Sequence, residues 1–209
     1  RNHTATHLLH AALKRVLGDH VNQAGSLVTP DYLRFDFTHF SPVTQEELND
    51  IEELVNEEIL KATDLAIAEM SMDEAKAKGA MALFGDKYGD VVRVVEVPGF
   101  SVELCGGSHV GNTAFISTFR LTSESGIGSG VRRIEAITGR AAMEAAKGDR
   151  ETLERLAGEL KTKPAQVEER LAQVLADAKE VEKQLTDIQK NLAAAGAADT
   201  AAGAYAAAG

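Results

Sequence analysis

The sequence predicts an α+β fold: a mixed or antiparallel sheet with packed helices, followed by an α-helical hairpin or coiled-coil segment. Three observations predict it. Stretches with a period of two, "YLRFDFTHF" and "DVVRVVEV", interleave with stretches of helical period. The strand-like runs "FSVEL", "AFISTFRLTSES" and "GVRRIEAIT" follow one another through short turns, the pattern of hairpins rather than of crossover helices. Beyond about residue 140 the strand patterns stop and charged helical periodicity takes over. The expected division is therefore 1–145, a helical segment 146–195, and a low-complexity Ala/Gly tail 196–209 that reads as a frayed end or linker.

Each element has its own reason. Over residues 3–17, about 100° per residue gathers Leu9, Ala12, Leu13 and Val16 on one side and His3, His7, His10 and Lys14 on the other, and Gly18 stops the helix. Leu33, Phe35 and Phe37 then alternate onto one face of a strand that Ser41 and Pro42 end. "VTQEELNDIEELVNEEILKAT" is a long acidic amphipathic helix opened by a capping box, Thr44 with Glu47. "EAKAKGAMALF" reads as a short helix, "DVVRVVEV" as a strand, Pro98-Gly99 as a turn, and "FSVEL" as a strand running into "CGGSH". The last two strands flank the glycine-rich "GIGSG". "GDRETLERLAGEL" is helical, and Pro164 suits the first turn of a further helix. There Leu171, Val174, Ala178, Val181, Leu185, Ile188 and Leu192 alternate spacings of three and four, a short heptad seam that suits self-association or a hairpin folded back on the chain.

Composition narrows the function classes. The 209 residues carry a net charge of −10, which argues against bulk attraction to nucleic acid. Charge is uneven: residues 41–75 hold most of the acidic excess, whereas Arg120, Arg132, Arg133 and Arg140 lie together in "FRLTSESGIGSGVRRIEAITGR". A single cysteine, Cys105, excludes an internal disulfide framework. No apolar run approaches the ~20 residues that span a bilayer, and no leader is visible, so the expectation is a cytoplasmic protein without membrane contact. The start without Met reads as that of a fragment.

Two four-residue spacings carry the chemistry. "HTATH" places His3 and His7 one helical turn apart, and "CGGSH" supplies Cys105 and His109 directly after a strand, with Gly106 and Gly107 expected to turn the backbone sharply between them. One thiolate and three imidazoles suit tetrahedral Zn²⁺. Either half alone is weak, since a helical His pair is commonly a solvated face and a lone Cys a small buried hydrophobe. "HTATH" lacks the Glu of a His-Glu-x-x-His metalloprotease. Four protein ligands would close a structural site, whereas an open position would admit water or a substrate atom. His10 is expected at the surface or behind the ligands. "GIGSG" matches neither a P-loop nor a dinucleotide fingerprint and reads as a turn, with Arg132 and Arg133 placed to grip a phosphate.

The wording of "RNHTATHLLHAALKRVLGDHVNQAGSLVTPDYLRFDF", "ALFGDKYGDVVRVVEV", "ELCGGSHV" and "GIGSGVRRIEAITG" closely resembles the editing domain of bacterial alanyl-tRNA synthetases over residues 1 to about 145. The helical stretch beyond resembles the segment leading to the synthetase C-terminal domain. The resemblance implies hydrolysis of mischarged Ser-tRNA(Ala) and Gly-tRNA(Ala), with the acceptor end of tRNA(Ala) as partner. It also implies that His3, His7, Cys105 and His109 hold zinc, that Thr6 and Gln23 line the amino-acid pocket, and that Arg132 orients the substrate end. "HVGNTAFISTF" departs from the Thr-Gly-Asp-Ile-Gly type of turn expected after the second metal half. The alternative is a zinc-stabilised tRNA-binding or oligomerisation module without hydrolytic activity.

Overall fold

The computed structural model describes residues 1–80 and 89–207, with side chains described to residue 193. It divides into two compact units, Arg1–Ala146 and the chain from Lys147 onward.

The first unit is built around helix α1 (Asn2–Leu17), buried on nearly every side. Leu9, Ala12 and Leu13 belong to the core as expected, with Val16 partly buried against it; Leu8 joins them, and Thr4, Thr6, His7 and His10 are buried too. The polar stripe is an interior surface. It faces inward because α1 is wedged between two layers, strand β2 (Leu33–Thr38) of one sheet and strand β5 (Ser101–Leu104) of another, with helix α2 (Gln45–Leu60) along a further side.

The larger sheet has the order β1-β2-β7-β6, with β1 at Gln23–Val28, β6 at Phe119–Gly128 and β7 at Val131–Thr138. The smaller is β3-β4-β5, with β3 at Ala66–Ser71 and β4 at Val91–Val97. Among the described residues every strand pairing is antiparallel, so the α+β class holds, with two sheets and no parallel pairs. Strands β1 and β3 were not legible as strands: both are edges, mostly solvent-exposed, and their sequences "QAGSLV" and "AIAEMS" carry little alternation. Phe35, Phe37, Ile134 and Ala136 from the larger sheet meet Leu8, Leu9 and Leu13 of α1 and Ile51, Val55 and Ile59 of α2 in one continuous core.

Helix α2 starts at the expected capping box: Thr44 Oγ1 accepts from the Glu47 N–H, and Glu47 Oε2 accepts from the Thr44 N–H at 2.8 Å. Removing the cap in Thr44→Ala should cost about 1 kcal/mol. Calorimetry should then show a melting midpoint lower by roughly 2–4 °C. The same device, Ser71 with Glu74, opens helix α3 (Met72–Ala77). That helix is shorter than the one expected over 74–84, whose last four residues lie outside the described residues.

Helix α4 (Gly139–Glu159) starts directly after β7, well before the expected Gly148. It ends where Lys161 takes a left-handed conformation (φ 51°) and Thr162 donates back to the Ala157 carbonyl at 2.9 Å. Pro164 opens a short 3₁₀ turn, Pro164–Gln166, ahead of helix α5 (Val167–Ala207). Its heptad residues Leu171, Val181, Leu185, Ile188 and Leu192 are exposed. The Ala/Gly run expected to fray continues α5 to Ala207; alanine is the strongest helix former and outweighs the interspersed glycines. Among the described residues no helix is long and apolar enough to cross a membrane.

Candidate metal centre

The N-terminal turns of α1 and the loop after β5 meet. His3, His7, Cys105 and His109 each offer a donor atom, and all four atoms lie within 4.8 Å of one another. Cys105 Sγ is 3.3 Å from His3 Nε2 and 3.5 Å from His109 Nε2. The ring centroids of His3 and His109 are 4.4 Å apart, those of His7 and His109 4.6 Å.

Neighbouring groups fix this arrangement from several sides. Arg93 on β4 donates to the carbonyls of Cys105 (2.7 Å) and Gly107 (2.8 Å), and its own carbonyl accepts from the Cys105 N–H (3.0 Å). Thr4 Oγ1 accepts from the Val110 N–H and lies 3.2 Å from His109 Nδ1, leaving Nε2 turned to the sulfur. Asn2 ties the start of α1 to the larger sheet, donating to the Thr29 carbonyl and accepting from Thr138 Oγ1. The two glycines do something other than expected. Neither adopts a positive φ, so the sharp-turn rationale does not apply. A Cβ on Gly106 would meet nothing within 4 Å, whereas one on Gly107 would lie 1.8 Å from His3 Cε1. Gly107 is small so that the His3 ring can lie against the backbone.

Burial sets the protonation states. Desolvation holds His3 and His7 below the ordinary imidazole value and takes His109 down to about 3, helped by its neighbouring histidines. All three rings are neutral at pH 7, the form that ligates a metal. Desolvation pushes the Cys105 thiol up, so a thiolate there needs a cation beside it.

His10 does not join the quartet and is not at the surface. It is buried, with Nδ1 3.1 Å from Glu103 Oε1, and Glu103 Oε2 lies 3.5 Å from His7 Nε2. Glu103 escaped the sequence reading because "FSVEL" suggests Val102 as the inward residue. The strand instead turns Ser101 and Glu103 inward, toward the histidine-bearing side of α1. A lone acid alternating into the strand before "CGGSH" was the available signal. His7 Nδ1 is a buried polar atom without a hydrogen-bond partner. That orphan, together with three neutral imidazoles and one thiol, fits a metal ion.

A cleft of about 740 Å³ opens beside the quartet. His3 and Ser108 form the wall nearest the donors, and Asn2, Thr29, Thr138 and Arg140 are among its other lining residues. Thr6 is buried one residue before His7, its hydroxyl donating to the Asn2 carbonyl at 2.9 Å. Gln23 and Arg132 lie elsewhere. Both pair with Phe37 in the register, which puts them in one row of the larger sheet. Six residues of β7, about 20 Å at the usual strand rise, separate that row from Thr138 beside the cleft. Arg132 is held there by a bidentate pair with Glu124 (2.5 and 2.6 Å), and Arg133 by another with Asp36. The structure thus brings the four metal candidates together and sets Gln23 and Arg132 about a strand length from the Thr138 side of the cleft.

Residues 92–135 match the family described as the threonyl and alanyl tRNA synthetase second additional domain, a span that contains Cys105, His109 and Arg132. The chain is 56% identical over 201 residues, 96% of its length, to an alanine–tRNA ligase of Hydrogenovibrio crunogenus. It is also 54% identical over 95% of its length to that of Listeria monocytogenes, and 57% over 92% to that of Staphylococcus epidermidis. The chain is homologous to one segment of the alanine–tRNA ligases. It spans 22–23% of the length of these ligases. Within this chain, the donor quartet draws on both the first helix and the matched domain.

Proposed function

We propose that this chain hydrolyses the ester of mischarged Ser-tRNA(Ala) and Gly-tRNA(Ala), the proofreading step of alanyl-tRNA synthetase, at a zinc ion held by His3, His7, Cys105 and His109. The observation that carries the reading is the convergence of one thiol and three neutral imidazoles at the wall of a cleft large enough for an aminoacylated nucleoside. Zinc bound there supplies a Lewis acid that polarises an ester carbonyl or a nearby water. The chain's own groups do the rest. His3 and Ser108 bring the cleft wall to the donors, and Arg140 at its rim offers charge to a phosphate. Thr6 is assigned to the seryl hydroxyl from behind the cleft wall, beside His7, where its own hydroxyl would have to leave the Asn2 carbonyl. Gln23 and Arg132, a strand length off, are assigned to the part of the tRNA end that extends along the sheet.

Selectivity follows from the polar lining. Serine is alanine plus a hydroxyl, and an apolar pocket excludes that addition by only about a hundredfold. A site whose buried polar groups require the hydroxyl turns alanine away by a factor on the order of 10⁴. Deacylation of Ser-tRNA(Ala) should therefore far outrun that of Ala-tRNA(Ala), and a chelator should abolish it. Gln23→His should slow seryl hydrolysis with zinc content unchanged; equal rates would remove Gln23 from the site.

The closed shell that four protein donors can form favours one second reading, a zinc-stabilised tRNA-binding module, with the exposed heptad face of α5 joining copies. A folded, zinc-loaded chain that binds the tRNA acceptor end without turnover would put that reading first.

A further inference from the structure

We propose that Glu103 is the positioning residue of this centre: its carboxylate keeps the proton of His7 on Nε2 and so turns Nδ1 to the ion, while His10 clamps the carboxylate from the far side. The inference rests on the zinc reading above.

Glu103 is 5% exposed, and its partners among the described residues are His7, His10 and Ser101. A carboxylate only accepts hydrogen bonds, so each ring nitrogen facing it must carry hydrogen. His10 Nδ1, 3.1 Å from Oε1, is therefore the protonated nitrogen of His10, and its Nε2 is left as a buried atom without a partner. His7 Nε2 stands 3.5 Å from Oε2, an ion-pair distance rather than a made hydrogen bond, and the facing carboxylate charge draws hydrogen to that nitrogen. A neutral imidazole with hydrogen on Nε2 has its lone pair on Nδ1, and Nδ1 is the His7 atom that the structure leaves buried and unpartnered.

Two imidazole N–H groups and the Ser101 hydroxyl, 3.5 Å from Oε1, do not by themselves offset a charge buried this deeply. A divalent ion does: with the Cys105 thiolate and the Glu103 carboxylate, the formal charge of the centre sums to zero. Carboxylate–histidine–metal chains of this kind fix the ring and raise its basicity. Here a second histidine, His10, extends the chain inward to Phe35, whose ring centroid is 5.2 Å from its own.

The test uses the zinc-loaded 209-residue chain with ¹⁵N-labelled histidine. Long-range ¹H–¹⁵N correlation should show His7 protonated at Nε2 and metal-bound at Nδ1. Competition against a chromophoric chelator should find zinc held about 10- to 100-fold more weakly by Glu103→Gln. The cobalt-substituted variant should have shifted absorption bands, and His10→Leu, which removes only the clamp, should give a smaller loss in the same direction. Ligation of His7 through Nε2 overturns the proposal, as do wild-type zinc affinity and an unchanged cobalt spectrum in Glu103→Gln. Should that variant fail to fold, the His7 tautomer in the wild type decides alone. A wild type that takes up no zinc overturns this proposal and the zinc reading together; one that takes up zinc while these signatures are absent removes only the role of Glu103.

Discussion

Gly107→Ala is expected to leave the fold intact and to empty the metal centre, whereas Gly106→Ala is expected to do neither. The two glycines are adjacent in "CGGSH" and look equivalent in the sequence. Space separates them. The methyl that Gly107→Ala introduces would fall 1.8 Å from His3 Cε1 and 2.2 Å from Nδ1, a separation that only movement of the His3 ring can relieve. The ring is the free end of a side chain, so it swings aside at little cost to the helix, and the centre loses a donor. Zinc affinity should fall by at least the roughly 100-fold that loss of an outer partner can cost. Neither position has a positive φ, so alanine brings no backbone strain, and the metal-free chains should melt within about 0.5 kcal/mol of the parent. Competition with a chelator and thermal melts of both variants check this. Equal zinc affinity in the two would mean that His3 is not a ligand.

Cys105→Ala should remove zinc and seryl-ester hydrolysis together. The thiol is the single sulfur donor, lying within 3.5 Å of both His3 and His109 nitrogens. Its pKa is raised by burial while those of the three histidines are lowered, so at neutral pH the metal-free site carries its proton on sulfur. Binding zinc must expel that proton, and affinity should climb by about tenfold per pH unit through the neutral range. The histidines, held below their ordinary values and already neutral, add nothing to that slope above neutrality. Calorimetric titration in buffers of different ionisation enthalpy should count about one proton released. Zinc retained by Cys105→Ala at parental affinity would dismiss the quartet.

Much of this site could be read from residue types and spacings alone. Two pairs four residues apart, one on a helix and one across glycines, are enough to nominate four donors, and the fold brings those four together. The same spacing argument left His10 either at the surface or behind the ligands, because helical periodicity states which residues share a face but not what covers it. Here β5 covers the polar face, and β5 is polar on that side as well: Glu103 answers His7 and His10, and Ser101 backs Glu103. Hydrophobic alternation cannot announce an interface made of complementary polar groups. The capping box at Thr44 was legible because it is local, its two partners three residues apart. Strands β1 and β3 were hidden for a different reason: each is an edge whose mostly exposed residues need no alternation, whether its partner follows at once, as β2 follows β1, or only after an intervening helix, as β4 follows β3. The positions of Gln23 and Arg132 depend on register, which fixes their row only once β1, β2 and β7 are paired.

The burial of α1 has a consequence for how the chain is made. This helix hides eleven of its sixteen residues, and β5, which covers its histidine-bearing side, follows far behind: His10 and Glu103 are 93 positions apart. A ribosome adding about 5–20 residues per second needs roughly 5–20 s to close that interval. Throughout it the histidine side of α1 has emerged without its cover, beside core leucines whose partners in β2 and α2 arrive earlier. The nascent chain therefore passes through a stage in which its first helix is docked on one flank and bare on the other, which is the kind of surface that chaperones bind. Metal capture waits until the loop carrying Cys105 and His109 has left the exit tunnel, and it closes a circuit of 102 positions, from His3 in the first turn of α1 to Cys105 just after β5.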